Sequence, residues 1–181
     1  MKYYLCSMTK KFARESHAVS TEIVLPNDTN TLGNLMGGRL LHWMDISAAI
    51  AAQRHCKRVV VTASVNNVSF DRPIKLGDIV TLESQVSRAF NSSMEVFIEV
   101  SVENHITGVK EKCNEAIYTF VAVDQIGRPI SVPECVPETE LEIKRYDGAL
   151  RRRQLALILA VKMMPVVASE LKALFINDSN K

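Results

Sequence analysis

The chain has 181 residues, of which 47% are hydrophobic and 23% are charged, and only 7 are glycine and 6 proline. This composition excludes a disordered or collagen-like chain and leaves enough apolar material for one folded domain with an appendage. The 22 basic and 20 acidic residues give a net charge of +2, so the sequence lacks the global basic field typical of proteins that bind nucleic acid or membrane surfaces.

The cysteines and the most apolar segments predict a soluble cytoplasmic protein. The cysteines lie far apart and form no CxxC pair, so neither a metal site nor a disulfide framework is expected from Cys6, Cys56, Cys113 and Cys135. The apolar stretch at the N-terminus is too short for a signal peptide. The most apolar region, residues 155–168, is interrupted by Lys162 and Pro165, so it is not expected to span a bilayer.

The first third of the chain predicts an arm, a strand, a loop and a helix. Residues 1–14 are basic and have no pattern, and we expect a flexible arm there. Residues 16–25 are rich in Val, Ile and Thr, which predicts a strand, and the turn formers of residues 26–34 predict an ordered loop. A helix is predicted from Gly37 to about Cys56, and because it is apolar on most sides we expect it to be buried.

Strands follow this helix with almost no helical signal between them, at residues 59–70, 78–87, 93–103 and 112–124. Their short connections favour an antiparallel meander. One apolar helix needs a sheet to cover it, so the predicted fold is α+β, with a curved antiparallel sheet of five or six strands around one central helix. We place this domain at residues 15–132, followed by a linker and a C-terminal helical appendage over residues 133–181.

Asp45 is the single residue that points most clearly to chemistry. It lies in the middle of the predicted helix, where its neighbours one turn away include Leu41, Ala48 and Ala49. A carboxylate on such a helix is costly to bury unless it is paired or used, and a buried acid suits a general base or a nucleophile. The spacing alone equally allows an exposed carboxylate that contacts solvent or His42, or a member of a structural network.

Residues just before the helix are a second candidate. Gly37 and Gly38 leave the backbone N–H groups of the helix start accessible, and the helix dipole favours negative charge there, so a developing oxyanion could bind. A tight turn into a closely packed helix explains the same two glycines more simply. Asn30 and Asn34 lie upstream and could orient a water or a carbonyl, although asparagines in such loops usually make local hydrogen bonds.

Two polar patterns further along the chain have both structural and functional interpretations. Thr62, Ser64 and Asn66 recur at the strand period and are predicted on one face, where they would line a ligand channel or form cross-strand hydrogen bonds. The arginines at 151–153 are typical of a solvated helix face, and they can bind phosphates through their fork geometry if the appendage folds back on the domain.

Missing motifs disfavour several enzyme classes. The sequence contains neither HxxxH spacing nor GxSxG, so zinc hydrolases and serine hydrolases fit poorly. Neither a Walker A motif nor a dinucleotide-binding fingerprint is present. The remaining candidates therefore centre on Asp45 and the residues before its helix.

Taken together, several segments resemble the acyl-CoA hydrolase branch of the hotdog-fold thioesterases. The matching stretches in chain order are Pro26-Asn27-Asp28-Thr29-Asn30 through Met36-Gly37-Gly38, Leu41-His42-Trp43-Met44-Asp45, Val61-Thr62-Ala63-Ser64-Val65, and residues 87–95 and 118–124. The arginine cluster also agrees, and the matches run over roughly residues 20–155. Several such stretches in the right order are far more specific than any one of them.

The resemblance implies a fold, an assembly and a reaction. The sheet would wrap a central helix, two chains would pair so that their sheets join, and trimers of such dimers are common in the family. The reaction would be hydrolysis of the thioester of an acyl-CoA to a carboxylic acid and free CoA. The family's catalytic positions fall on Asn30 and Asp45, which act across the dimer, with the N–H of Gly38 polarising the carbonyl. Asp45 would activate a water or attack directly.

The resemblance also implies where coenzyme A binds. Substrate contacts are expected at Gly37 and Thr62, along the pantetheine at Ala63, Ser64 and Val65, near the nucleotide at Ser92, Ser93 and Met94, and at a phosphate for Arg152. Coenzyme A is part of the substrate and product, so no separate cofactor and no metal are expected. Some relatives carry two hotdog units in one polypeptide, whereas this chain has one, so a monomer should be inactive. Many relatives have His or Phe where Met36 stands, which concerns acyl preference.

Two other functions fit the same fold. A non-catalytic acyl-CoA sensor needs no acid near the scissile bond, so the presence of both Asn30 and Asp45 favours the enzyme. A hotdog dehydratase is expected to combine a histidine with an acid, and the helix has Asp45 without a suitably placed histidine. The sequence therefore predicts a homo-oligomeric acyl-CoA thioesterase, cytoplasmic and without a nucleic-acid or membrane partner.

Overall fold

The computed structural model describes residues 10–66, 68 and 72–177. The chain divides into two compact units, Met1–Pro137 and Glu138–Lys181. The prediction ended the first domain at residue 132. The structure ends it at residue 137, because the segment Cys135–Val136 pairs with Lys11–Phe12 near the start of the same unit.

A five-stranded antiparallel sheet forms the body of the first unit. The strands of this unit are β1 Lys11–Phe12, β2 Ala18–Ile23, β3 Val59–Asn66, β4 Ile79–Ala89, β5 Ser93–Glu103, β6 Lys110–Val123 and β7 Cys135–Val136. The sheet has the order β2-β4-β5-β6-β3, so β2 and β3 are its edges, while β1 and β7 form a separate parallel pair.

Alternating apolar residues on the central strands build the core against a single long helix, α1 Gly37–Cys56. The fully buried side chains of β4 and β5 include Val80, Leu82, Val86, Val96, Ile98 and Val100. On α1, Ala48, Ala51 and Ala52 are fully buried, and these small residues let the helix lie close to the strands. The predicted α+β fold, an antiparallel sheet around one helix, is confirmed.

One side of α1 remains open in the single chain. Ile46 is 46% exposed and Ile50 is 37% exposed. The prediction that this helix is buried and not half-exposed is therefore wrong for one chain taken alone, because an apolar strip of the helix faces outward.

The edge strand β3 carries a bulge. Thr62 lies opposite Phe120 on β6, but Ser64 lies opposite Thr119, so Ala63 is an extra residue in the ladder. The side chains of consecutive β6 residues, such as Thr119 and Phe120, point to opposite faces of the sheet. Their partners on β3, Ser64 and Thr62, therefore also point to opposite faces. The predicted row of polar side chains on one face of this strand is therefore wrong, because the bulge separates Thr62 from the polar residues that follow.

The ends of two segments differ from the sequence expectation. β3 ends at Asn66, whereas the predicted strand continues to residue 70, and residues 67 and 69–71 lie outside the described residues. Residues 1–9 of the predicted arm also lie outside them, but β1 is paired and Ala13 is buried. This short parallel pair joins segments far apart in the chain, so no local sequence pattern predicts it.

The second unit consists of α2 Glu140–Leu159, a short 3-10 helix at Pro165–Val167, and α3 Ser169–Asn177. A capping box starts α2: the N–H of Glu142 donates to Thr139 Oγ1 at 3.2 Å, and the N–H of Thr139 donates to the Glu142 carboxylate at 3.0 Å. The N–H of Leu171 donates to Gln154 Oε1 at 2.9 Å, which joins α3 to α2. No helix among the described residues is long and apolar enough to cross a bilayer.

Candidate active site

The N-terminus of α1 presents its backbone to open space. The N–H groups of Arg39 and Leu40 donate to the carbonyl of Met36, so Gly38 precedes the first hydrogen bonds of the helix. A Cβ added at Gly38 would meet nothing within 4 Å. The Gly38 N–H therefore lies where the helix dipole favours a negative partner and where a ligand atom can approach.

Asn30 organises the loop before α1. Its Oδ1 accepts the N–H of Leu32 at 2.9 Å and the N–H of Asn34 at 3.2 Å, and its own N–H donates to the carbonyl of Asn34 at 2.8 Å. These are the local hydrogen bonds that asparagines commonly make in turns. With Oδ1 used in this way, the amide NH₂ of the exposed Asn30 side chain is the group left to meet a ligand.

Asp28 forms an ion pair that the sequence analysis missed. Asp28 is only 2% exposed; its Oδ1 accepts from Arg39 Nε at 2.5 Å and its Oδ2 accepts from the N–H of Leu25 at 3.0 Å. Arg39 lies in the first turn of α1, and its guanidinium also lies over the ring of Trp43, 5.9 Å from the centroid. An aspartate and an arginine eleven residues apart form no recognisable motif, so the spacing gave no signal.

Asp45 lies further along α1 and is half-buried in the single chain. Thr62 Oγ1 on β3 donates to Asp45 Oδ1 at 2.7 Å. Tyr118 on β6 is 1% exposed, and its hydroxyl donates to the carbonyl of Leu41 at 3.2 Å. Burial, together with the charge of Asp45, raises the pKa of Tyr118 to about 12. Asp45 is therefore held by one hydroxyl and lies near a second that stays protonated at neutral pH.

The structure brings the predicted groups together only in part. It joins Thr62 to Asp45 and places Asn30 in the loop that leads to Gly38, but no hydrogen bond of the described residues links Asn30 to Asp45. Within the described ranges, no group of three or more His, Cys, Asp and Glu side chains could hold a metal ion. The chemistry on offer is thus a carboxylate, hydroxyls, an amide and a backbone N–H.

The strand beside Asp45 has an open apolar edge. Among the described residues β3 is paired with β6 alone, and Val59, Val61 and Val65 are 65%, 48% and 44% exposed. The predicted pantetheine contacts Ala63 and Ser64 are exposed as well. An apolar strand edge of this kind is typical of a surface that another chain covers.

The predicted nucleotide contacts follow the turn between β4 and β5 and differ in accessibility. Ser92 is half-buried and its carbonyl accepts the N–H of Ala122 at 2.9 Å. Ser93 is 8% exposed and Met94 is 0% exposed. The Met94 side chain belongs to the hydrophobic core, so it cannot meet a ligand in this conformation, and a contact there is limited to backbone atoms.

Arg152, the predicted phosphate contact, lies on α2 in the second unit. Its Nη2 donates to the carbonyl of Arg145 at 3.0 Å, about two turns earlier on the same helix. Gly148 makes room for this arrangement, since an added Cβ there would come within 2.6 Å of Arg152 Nη1. Burial lowers the pKa of the neighbouring Arg153. The phosphate contact itself stays a prediction.

Comparison of the sequence with known proteins gives a consistent result. The thioesterase superfamily matches residues 32–109. An uncharacterized acyl-CoA thioester hydrolase of Bacillus subtilis is 46% identical over 142 residues, which cover 78% of this chain and 83% of that protein. A cytosolic acyl coenzyme A thioester hydrolase of Rattus norvegicus is 35% identical over 127 residues, which cover 69% of this chain but only 33% of that longer protein.

Solved structures with the same fold agree. A hexameric acyl-CoA thioesterase in its apo form is 37% identical, has a TM-score of 0.81, and covers 84% of this chain and 97% of its own. An acyl-CoA hydrolase of Staphylococcus aureus, solved with butyryl coenzyme A, coenzyme A and coenzyme A disulfide, is 36% identical with a TM-score of 0.77, covering 84% of this chain and 95% of its own.

Alanine variants of the Staphylococcus aureus hydrolase have also been solved, at an asparagine, an aspartate and a threonine. In that protein the asparagine precedes the aspartate by 15 residues and the threonine follows it by 17. Asn30, Asp45 and Thr62 have the same two separations in this chain. The residue types and spacing of the three variants thus coincide with the residues that surround the candidate site.

Proposed function

Because the chain belongs to the thioesterase superfamily, we propose that it is an acyl-CoA thioesterase, which hydrolyses the thioester of an acyl-CoA to a carboxylic acid and free CoA. The observation that carries this proposal is the Asp45 carboxylate, oriented by Thr62 on a helix whose first N–H groups are open. A thioester is already a reactive acyl donor, so a carboxylate and an oxyanion donor suffice for its hydrolysis.

In the proposed reaction, the thioester carbonyl oxygen accepts a hydrogen bond from the Gly38 N–H, which stabilises the negative charge that develops there. Asp45 either takes a proton from an attacking water or attacks the carbonyl carbon itself, forming an anhydride that water then opens. By either route the carbon–sulfur bond breaks and the CoA thiolate receives a proton that originates from the water. A general base contributes about 10²–10⁴-fold and an oxyanion donor about 10²–10³-fold.

We assign Asn30 to the same reaction, together with the Gly38 N–H of its own subunit and the Asp45 of a second copy of the chain. In one chain its side chain forms no hydrogen bond to Asp45, and the strand next to Asp45 exposes an apolar edge. A dimer joined along β3 would cover that edge and bring the Asn30 amide of one subunit towards the Asp45 of the other. The hexameric relative supports further association into six subunits, which we propose to be a trimer of such dimers.

Coenzyme A is proposed to lie along the exposed segment Ala63, Ser64 and Val65, with its nucleotide near Ser92 and Ser93. It enters and leaves as part of the substrate and product, so the proposal includes no separate cofactor. The cytosolic relative supports the proposal of a cytoplasmic enzyme, and we propose a role in fatty acid metabolism from the acyl-CoA substrate alone.

The test is release of free thiol from acetyl-, butyryl- and palmitoyl-CoA by the wild-type protein and by Asp45→Ala. We expect the wild type to hydrolyse at least one of these esters and Asp45→Ala to lose at least about 100-fold in kcat, as removal of a general base predicts. Asp147→Ala, which removes an exposed aspartate of the second unit, serves as the matched control and should retain wild-type turnover.

Two results would overturn the assignment in different ways. Equal rates for the wild type and Asp45→Ala would remove Asp45 from the mechanism. Tight CoA binding without turnover of any ester by the wild type would instead support a non-catalytic acyl-CoA sensor.

A further inference from the structure

Asp28 and Arg39 form an ion pair that the proposed reaction does not use. Asp28 is 2% exposed, and a carboxylate so deeply buried is costly unless both of its oxygens are satisfied. Arg39 Nε satisfies Oδ1 at 2.5 Å and the N–H of Leu25 satisfies Oδ2 at 3.0 Å. The loop that carries Asn30 therefore begins at an anion whose only charged partner among the described residues is Arg39.

Arg39 is badly placed for the stability of its own helix. It lies in the first turn of α1, where the positive end of the helix dipole disfavours a cation. Its guanidinium is held between the Asp28 carboxylate and the Trp43 ring, at 2.5 Å from Oδ1 and 5.9 Å from the ring centroid. The position of Arg39 is thus explained by its ion pair with Asp28, because the helix itself is not stabilised by a cation there.

The pair lies at the point where the loop that contains Asn30 closes. The carbonyl of Asp28 accepts the N–H of Met36 at 2.9 Å, so the two ends of the loop meet immediately before Gly37. The far side of the loop is fixed by backbone hydrogen bonds, Leu35 N–H to Ile74 at 2.7 Å and Leu76 N–H to Gly33 at 3.1 Å. The Asp28–Arg39 bond is the side-chain link between this closed loop and the first turn of α1.

We propose that Asp28 and Arg39 are positioning residues, which fix the Asn30 carboxamide relative to the Gly38 N–H within one subunit. This inference rests on the proposed function. The two groups that Asn30 and Gly38 present to a substrate come from the loop and from the first turn of α1, and the ion pair joins these two segments. Misplacing a reacting group by about 1 Å can cost about 100-fold in rate, so the pair acts on kcat through Asn30.

The experiment compares Arg39→Gln, Arg39→Lys and Asp28→Asn in the wild-type background and in an Asn30→Ala background. In the wild-type background, we expect Arg39→Gln and Asp28→Asn to lower kcat about 10- to 100-fold with less than a threefold change in KM, and Arg39→Lys to recover part of the loss. In the Asn30→Ala background the same substitutions should cost less than about threefold, because the group they position is gone.

A control at a second ion pair tests whether the loss of any ion pair lowers kcat. Lys112→Gln breaks a different ion pair, between Lys112 and the carboxylates of Glu99 and Glu115 on the sheet, and should leave kcat within twofold of the wild type. Equal losses from Arg39→Gln with and without Asn30 would overturn the proposal, as would a change confined to KM. Hydrogen exchange of the amides of residues 30–36 gives a second readout, with faster exchange expected in Arg39→Gln and unchanged exchange in Lys112→Gln.

Failure of the proposed function and failure of this inference are distinguishable. If the wild type hydrolyses no acyl-CoA, the proposed function fails, and the exchange measurement alone decides whether the pair fixes the loop. If the wild type is active and the variants keep both its kcat and its loop protection, the function stands and the positioning role is wrong.

Discussion

The loop that carries Asn30 and the strand that carries Thr62 receive very different support from their own chain. The loop is closed on one side by the Asp28–Arg39 ion pair and on the other by backbone bonds to residues 74–76. The strand β3 has a single neighbouring strand in the part of the chain that the structure describes, and Val61 on it is 48% exposed. One chain therefore completes the first region and leaves the second open, so we expect the loop to affect catalysis through geometry and the strand to affect it through assembly.

The largest effect is expected from a charge on the open edge of β3, because it tests whether the site depends on assembly. Val61→Lys places a cation on the exposed edge strand, where lysine opposes pairing with another strand. We expect monomers in solution and a loss of at least about 100-fold in turnover, because the proposed site takes groups from two chains. Size-exclusion chromatography with light scattering and thiol release measure the two effects together.

The control for this prediction is Ile106→Lys, which charges an equally apolar and 81% exposed position in the turn between β5 and β6. It should leave both assembly and turnover unchanged. A monomeric Val61→Lys with wild-type turnover would show that one chain holds a complete site, and the contrast between the two regions would disappear.

A smaller effect is expected where the strand reaches the acid. Thr62→Val removes the hydroxyl that donates to Asp45 Oδ1 and nearly keeps the shape of the side chain. A hydrogen bond to a charged group is worth about 1.5–3 kcal/mol, so we expect kcat to fall by about tenfold or more, with assembly intact. Steady-state kinetics of Thr62→Val and Thr62→Ser check this, since serine keeps the hydroxyl and should recover most of the rate.

Thr81→Val on β4 provides the matched loss of a threonine hydroxyl away from the candidate site and should leave kcat unchanged. If Thr62→Val turned over acyl-CoA as fast as the wild type, the hydrogen bond to Asp45 would have no part in orienting the carboxylate, and the strand would contribute to the site through assembly alone.

The smallest effect is expected at the opposite end of α1, away from both regions. His55 is fully buried, its Nε2 bonds to the carbonyl of Pro133 at 2.9 Å, and burial lowers its pKa below the usual 6.5. Between the lowered pKa of the folded state and 6.5, the unfolded chain therefore takes up a proton that the folded chain does not. The contribution of neutral His55 to the free energy of unfolding is fully present above pH 6.5. It falls as the pH decreases through this range, by up to about 1.4 kcal/mol per pH unit.

Urea denaturation of the wild type and His55→Gln between pH 5 and pH 8 tests this directly. We expect the free energy of unfolding of the variant to decrease less below pH 6.5 than that of the wild type. Its turnover at pH 8 should stay within twofold of the wild type. His42→Gln, on an exposed position of the same helix, is the control and should keep the wild-type pH dependence. An identical slope in His55→Gln would mean that other groups cause the acid sensitivity.

Local patterns were sufficient to predict the elements that position the site. The uninterrupted apolar segment after Gly37 predicted a helix to about Cys56, and the structure has α1 at Gly37–Cys56. The alternation in residues 93–103 predicted a strand, and β5 spans Ser93–Glu103. Helix and strand periods are properties of neighbouring residues, so a sequence read on its own contains them.

What the sequence did not reveal depends on contacts between distant segments. Nothing near Asp28 indicates that Arg39 neutralises it, and the alternation of Thr62 and Ser64 gives no sign of the bulge between them. The position of Asp45 on the helix was predictable, but its half-exposure was not, because the exposed fraction of a side chain is set by which strands the sheet places beside it.

The bulge at Ala63 has a consequence for how β3 serves the enzyme. Upstream of it, Thr62 turns towards α1 and holds the acid, and downstream of it, Ser64 turns to the other side of the sheet. Because of this single extra residue, one face of β3 contacts the Asp45 carboxylate and the other face presents polar atoms. If Ala63 instead took a regular place in the ladder, Ser64 would return to the face of Thr62 and half of the strand would turn to the wrong side, although every side chain needed would still be present.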